Sequence, residues 1–151
     1  MQVFIIGSVI NTAIALDKKR LNKQIIECQQ IIKAIEGESY AWKNHPCVIQ
    51  YKNDTTWLNN YLNCLINYQK ANSGKLGIYD TSRCLELAYE LSSFCDWLRP
   101  NFHTSEYFDN MKKRLYTKDH EHYKQWENLG ESYENWYWID NKWKIYKQKY
   151  F

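Results

Sequence analysis

Four polar residues near the start of the chain are spaced in a way that could do chemistry. At about 100° per residue of a helix, Asp17, Arg20, Gln24 and Glu27 fall within an arc of roughly 80°. That arc lies beside an apolar face and away from Lys18, Lys19, Lys23 and Lys33. A carboxylate at the edge of a core is partly desolvated, which raises its pKa and suits it to moving protons. A nearby arginine opposes that shift and holds the group in place. The same spacing also describes an ordinary ladder of ion pairs on a helix surface.

Other candidates sit where the pattern is weaker. His45 follows Trp42 and precedes Pro46, at the mouth of a predicted helix, where it could cap the helix or meet an anion. His103, Ser105, His122 and Tyr123 fall in stretches where binding loops and plain loop contacts both occur. Trp136, Tyr137, Trp138 and Trp143 could stack on bases or close as a flap over the core. His120 and His122 lack the cysteine or carboxylate spacing of a zinc site, so neither metal nor cofactor is expected.

The elements that must position these groups follow from periodicity. Residues 1–10 read as a short apolar extended segment. From about 12 to 36, Ile14, Leu21, Ile25, Cys28, Ile32 and Ile35 mark an amphipathic helix that ends near Gly37. After the loop EGESYAWKNHP, a second helical stripe runs from Tyr51 through Leu58, Leu62 and Leu65 to about residue 70. ANSGKLGIYD breaks the chain. A third helix is predicted over 81–98, capped by Asp80 or Thr81, carrying Cys84, Leu87, Ala88, Leu91, Phe94, Cys95 and Leu98, and stopped by Pro100. Short helices near 104–115 and 119–127 precede an aromatic tail. That tail is either a hairpin about Asp140-Asn141 or an ordered loop. The expected fold is mainly α, one compact domain over residues 1–151, built around three helices with an irregular, aromatic-rich C-terminal third.

Composition limits what this domain can be. At 151 residues with 44% hydrophobic content the chain can bury a core and is not a disordered tail. A net charge of +3 is too mild to announce nucleic-acid binding by itself. The basic residues are clustered, however: Lys18, Lys19, Arg20 and Lys23; Lys112, Lys113 and Arg114; and Lys142, Lys144, Lys147 and Lys149. Such runs are usually solvated faces, but apolar helices separate these three and could bring them together. Five cysteines without a CxxC pair fit a reducing compartment better than a disulfide framework. Neither a signal peptide nor a membrane-length apolar run is read, so a soluble, cytoplasmic protein is expected.

The wording of two segments is more specific. Leu16, Asp17, Arg20, Leu21, Gln24, Glu27, Gln30 and Ile31, then Trp42, His45 and Pro46, match Leu-Asp-x-x-Arg-Leu-x-x-Gln-x-x-Glu-x-x-Gln-Ile followed by Trp-x-x-His-Pro. A second block follows with His103, Ser105, Lys118, Asp119, His122 and Tyr123, and later Tyr133, Tyr137 and Trp138. In both, the chain resembles the pyrimidine-dimer DNA glycosylase family, relatives of the bacteriophage endonuclease V enzymes.

The resemblance implies an enzyme that excises a damaged or modified pyrimidine from double-stranded DNA, acting as a monomer without a cofactor. It further implies AP-lyase activity through a Schiff base on the N-terminal amine. Glu27 matches the glutamate that stabilises the sugar cation and shuttles protons. Gln2 disfavours removal of Met1, so the amine would be Met1's own. An α-amine titrates near 7.7–8.0, so part of it is neutral at physiological pH. Arg20, Lys23, Gln24, Asn44, His45, His103, Ser105, His122 and Tyr123 become candidate DNA contacts, with Asp17 structural. Two alternatives remain: a non-catalytic nucleic-acid-binding or interaction protein on the same fold, and a glycosylase for another modified base in virus–host conflict.

Overall fold

The structure, a computed structural model, describes residues 1–148. The chain opens with an extended apolar segment in which Val3, Phe4 and Ile5 are buried. It then enters α1 (Val9–Ala15), whose N-cap Ser8 accepts a hydrogen bond from the Asn11 amide. The single helix expected over 12–36 is in fact two. Leu16 and Asp17 take extended backbone, ψ 134° and 159°, between α1 and α2 (Lys18–Ile35). Asp17 is the N-cap residue of α2, a position its type favours, but its carboxylate turns to Arg20 and Tyr123. The break resets the helical phase. Ile14, expected on the apolar stripe, is therefore half exposed, whereas Leu16, Leu21, Ile25, Cys28 and Ile32 are buried.

Helix α3 (Pro46–Gln50) begins at Pro46 as expected, with His45 as its N-cap. The second long helix, α4 (Thr55–Ala71), starts later than the stripe from Tyr51 suggests, because Tyr51 closes α3. α5 (Ile78–Trp97) starts earlier than residue 81; its N-cap is Gly77, and Asp80 lies inside the first turn. α4 is the central element and packs against α1, α2 and α5. Its inner face carries Trp57, Leu58, Tyr61, Cys64 and Leu65, with Trp57 stacked between Tyr51 and Tyr61. α5 buries only Ala88, Ser92 and Cys95, so Phe94 and Leu98 of its expected stripe stay exposed.

The C-terminal third is more regular than expected. α6 (Ser105–Lys118) is capped by the Thr104 hydroxyl, and a 3-10 turn follows at Lys124–Leu129. β1 (Glu134–Ile139) and β2 (Lys142–Lys147) then form an antiparallel hairpin with Ile139 opposite Lys142. Asp140 and Asn141 both have positive φ, 55° and 59°, the geometry of a type I′ turn matched to strand twist. β1 packs on α3 and α6. Trp143 stacks on buried Tyr107, and Trp136 and Trp138 lean against Trp143, so these aromatics close over the core as a flap. The five cysteines are free. Burial pushes Cys47, Cys64 and Cys95 up to about 12, which keeps them unreactive thiols. Among the described residues, no helix is long and apolar enough to cross a membrane. Lys149 of the C-terminal basic run lies outside the described residues.

Candidate active site

The apolar opening segment is tied to the helices through its backbone. Gln24, 1% exposed in the middle of α2, donates from Nε2 to the Gln2 carbonyl at 2.8 Å and accepts the Phe4 amide on Oε1 at 2.9 Å. The Tyr61 hydroxyl lies 2.7 Å from the Phe4 carbonyl and 2.8 Å from Gln24 Oε1. Both are acceptors, so its single proton serves one at a time. From the hairpin, the Tyr137 hydroxyl donates to the Met1 carbonyl at 3.0 Å. The carbonyls of Met1 and Gln2 are thus both held, which anchors the start of the chain between α2 and the hairpin. In the same segment, the buried Gln2 Nε2 has no hydrogen-bond partner among the described residues.

A cleft of about 230 Å³ opens beside this terminus. Met1, Gln2 and Phe4 line one side, and α2 supplies Lys19, Arg20, Lys23, Gln24 and Glu27. The end of α6 adds Arg114 and Lys118, and the hairpin region adds Asn135 and Gln148. Glu27 is 16% exposed, with its Oε1 3.7 Å from Lys23 Nζ. Arg20 reaches both oxygens of Asp17 at 3.2 Å, donates to the Lys118 carbonyl, and lies over the Tyr123 ring. Arg114 donates to the Ser132 carbonyl and to Gln148 Oε1. Among the described residues, a single carboxylate thus shares the cleft with five cationic side chains and Met1, a field that draws phosphate.

The layout shifts the ionisable groups around it. Burial, and then the charge of the N-terminus, lower the pKa of His45. The N-terminal charge also acts on the Cys47 thiol, so the amine lies near the start of α3. Burial first, then the charges of Arg114, Lys23 and Arg20, bring Lys118 down to about 8, with Glu27 opposing.

The candidates read from sequence separate into three groups. Met1, Arg20, Lys23, Gln24 and Glu27 meet in the cleft. Gln24 faces inward to the opening segment, and Asp17 braces Arg20 while accepting from the Tyr123 hydroxyl. His45 stands next to the cleft: its Nδ1 caps α3 by accepting from the Cys47 amide at 3.1 Å, and its ring meets Tyr137 edge-on. Asn44 is exposed on another groove, with Tyr40 and Lys43.

The remaining four are elsewhere. His103 is 5% exposed, bonded to the Tyr51 hydroxyl at 2.8 Å inside an aromatic cluster, and burial lowers it to about 3. Ser105 is exposed at the first turn of α6. His122 contacts the Ala15 carbonyl, and Tyr123 is fully buried against Trp126. His120 pairs with Glu131 at 2.7 Å. Among the described residues, no group of three or more His, Cys, Asp or Glu is placed to hold a metal ion.

Sequence reasoning passed over Lys118, Arg114, Asn135 and Gln148 as site residues. The only trace of them was the basic knot at 112–114 and the Lys-Asp run that contains Lys118. Only the packing of α6 against the hairpin turns Arg114 toward α2.

Residues 1–70, just under half of the chain, match the model of a family described as pyrimidine dimer DNA glycosylase. The match covers the opening segment, Arg20, Lys23, Gln24, Glu27 and His45, and it supports the resemblance drawn from the first motif block. The second block, from His103 onward, lies outside the matched residues. No curated protein and no solved structure matches the chain.

Proposed function

We propose that this domain excises a damaged pyrimidine of the dimer type from double-stranded DNA and then cuts the strand at the resulting abasic site. The observation that carries the reading is the cleft in which Met1 and Glu27 meet, inside the segment that matches the glycosylase family. The terminal amine, in its neutral form, attacks C1′ of the sugar and the base departs with its bonding pair. The resulting amine adduct opens to a Schiff base. Glu27 first faces the developing positive charge on the sugar and then takes a proton from C2′. The C3′–O bond breaks and the 3′ phosphate leaves. Arg20, Lys23 and Arg114 supply the field that holds phosphates on either side of the sugar.

Holding a flexible chain terminus against a carboxylate turns the first step into a preorganised one. Gln24 and Tyr137 do this through the backbone carbonyls of Gln2 and Met1, leaving the amine itself available.

The test is borohydride trapping on duplex DNA carrying a single abasic site, alongside cleavage of irradiated duplex. A covalent protein–DNA complex with the parent chain, and loss of cleavage in Glu27→Gln by at least about 100-fold, are expected. Tight, salt-sensitive duplex binding without trapping or turnover would instead assign the fold to a binding protein.

A further inference from the structure

We propose that the outer face of α5 is a dimer interface, on which a second copy of this chain packs antiparallel about a two-fold axis, in place of the monomer that the family resemblance implies. α5 buries only Ala88, Ser92 and Cys95, yet its other sides carry large apolar residues as well. At about 100° per residue, Tyr79, Arg83, Leu87, Glu90, Phe94 and Trp97 fall within an arc of about 80°, roughly opposite the buried three. On that arc Trp97 is 90%, Tyr79 80% and Phe94 62% exposed. A groove of about 640 Å³ runs beside them, lined by Glu90, Ser93, Phe94, Trp97 and Leu98. A helix apolar on all sides is ordinarily covered on all sides, and a contiguous exposed apolar patch marks an interaction site. None of the six lines the cleft, so the dimer is independent of the glycosylase chemistry.

Charge decides what covers this face. Along α5, Asp80, Glu86, Glu90 and Asp96 outnumber Arg83, a balance that repels phosphate and therefore suits neither duplex DNA nor an anionic lipid surface. The stripe is instead complementary to itself, with aromatics toward its two ends and charges between them. In the register that sets Arg83 against Glu90 of the other copy, Phe94 falls against Tyr79 and Leu87 lies at the axis beside its own copy. Trp97 then reaches the exposed Ile78 at the start of the other helix. A parallel pairing would stack Arg83 on Arg83 and Glu90 on Glu90, and like charges disfavour it. Within its own helix Arg83 lies 3.7 Å from Glu86, both about two-thirds exposed, and its guanidinium has donors enough for a second carboxylate.

The area is sufficient for a weak dimer. Covering Tyr79, Leu87, Phe94 and Trp97 removes roughly 600 Å² from each copy, at about 150–250 Å² for a fully covered aromatic. The two sides together reach about 1,200 Å², the lower edge of specific interfaces, so a Kd on the order of 1–100 µM is expected.

Sedimentation velocity on the full chain, from about 1 to about 300 µM to bracket that Kd, reads the mass directly. The expected result is the 18.3 kDa monomer at low concentration and twice that mass at high. Trp97→Ala, and Arg83→Glu or Glu90→Arg alone, are expected to weaken self-association at least about tenfold. The double variant Arg83→Glu/Glu90→Arg is expected to restore it to within about threefold of the parent. Circular dichroism and urea midpoints should stay at the parent's values, since the substituted side chains are exposed. A parent chain that stays monomeric throughout overturns the proposal. So does a dimer that Trp97→Ala or the single charge reversals leave intact, or one that the double variant fails to restore. A monomer that binds phosphatidylcholine vesicles or an unrelated protein, and loses that binding in Trp97→Ala, would assign another occupant and equally overturn it. The concentration series on the parent decides the matter even if a variant fails to fold.

Discussion

Gln24 and Glu27 sit one helical turn apart, yet the structure gives them opposite jobs, and substitution should separate them. Gln24→Ala removes the donor to the Gln2 carbonyl and the acceptor for the Phe4 amide. The Tyr61 hydroxyl can still reach the Phe4 carbonyl, so two buried backbone groups are left unmatched rather than three. At about 1–3 kcal/mol for each orphaned buried group, the loss is roughly 2–6 kcal/mol. For a domain of this size, that moves a urea midpoint by on the order of 1–2 M.

Glu27→Gln leaves the interior alone. Among the described residues its one ion pair is with Lys23, which is two-thirds exposed, so stability should change by no more than about 0.5 kcal/mol. Urea unfolding followed by circular dichroism, run beside single-turnover cleavage of irradiated duplex, reads both quantities. Gln24→Ala should lose stability, and activity with it, as the terminus loosens. Glu27→Gln should lose activity alone. If Gln24→Ala kept its midpoint while losing duplex binding, Gln24 would be a DNA contact and the backbone clamp would be the wrong account.

Two further expectations concern the rest of the molecule. His103 is a base whose pKa is lowered in the folded state, to about 3, so protons bind the unfolded chain better. Its contribution is complete above about pH 6.5 and is lost as pH falls toward 3, by about 2 kcal/mol at pH 5. Urea midpoints measured from pH 7 to 4.5 should show that slope, and a flat profile would contradict the buried, neutral placement. At the hairpin, Asn141 has φ 59°. Asn141→Gly should be neutral or raise stability by a few tenths of a kcal/mol, whereas Asn141→Val should lower it by about 1–2 kcal/mol. Thermal melts of the two variants would expose a wrong turn assignment if they shifted together.

Much of the helical organisation was legible because it is local. The apolar spacing from Leu21 to Ile32 needs one buried face, whatever covers it. Pro46 opens a helix because its fixed φ and missing N–H suit that position. Asp140-Asn141 offers the left-handed backbone a tight hairpin requires. Legibility failed where two local preferences competed. Periodicity joined α1 to α2, but Asp17 prefers an N-cap, and its partly buried bond to Tyr123, far along the chain, favours that break. His103 looked like a loop histidine because nothing in its neighbourhood reveals Tyr51, Trp57 and Tyr107 packed around it.

The stripe of Asp17, Arg20, Gln24 and Glu27 shows the same division within one helix. Spacing alone placed Arg20, Gln24 and Glu27 on one side of α2, since helical geometry is set residue by residue. Which of them faces solvent, backbone or another side chain was beyond that reach. It depends on where the first residues of the chain, the end of α6 and the hairpin come to rest. Gln24 is consumed by the opening segment and Arg20 is braced by Asp17. Among the described residues, Glu27 alone remains turned to the cleft as its carboxylate, beside Met1 and Lys118. Sequence by itself determined the helices and the identity of the polar groups they carry, because both follow from short-range sterics and burial. Tertiary structure decided which of those groups has its bonding capacity left over, because that depends on partners more than ninety residues away as well as on near neighbours.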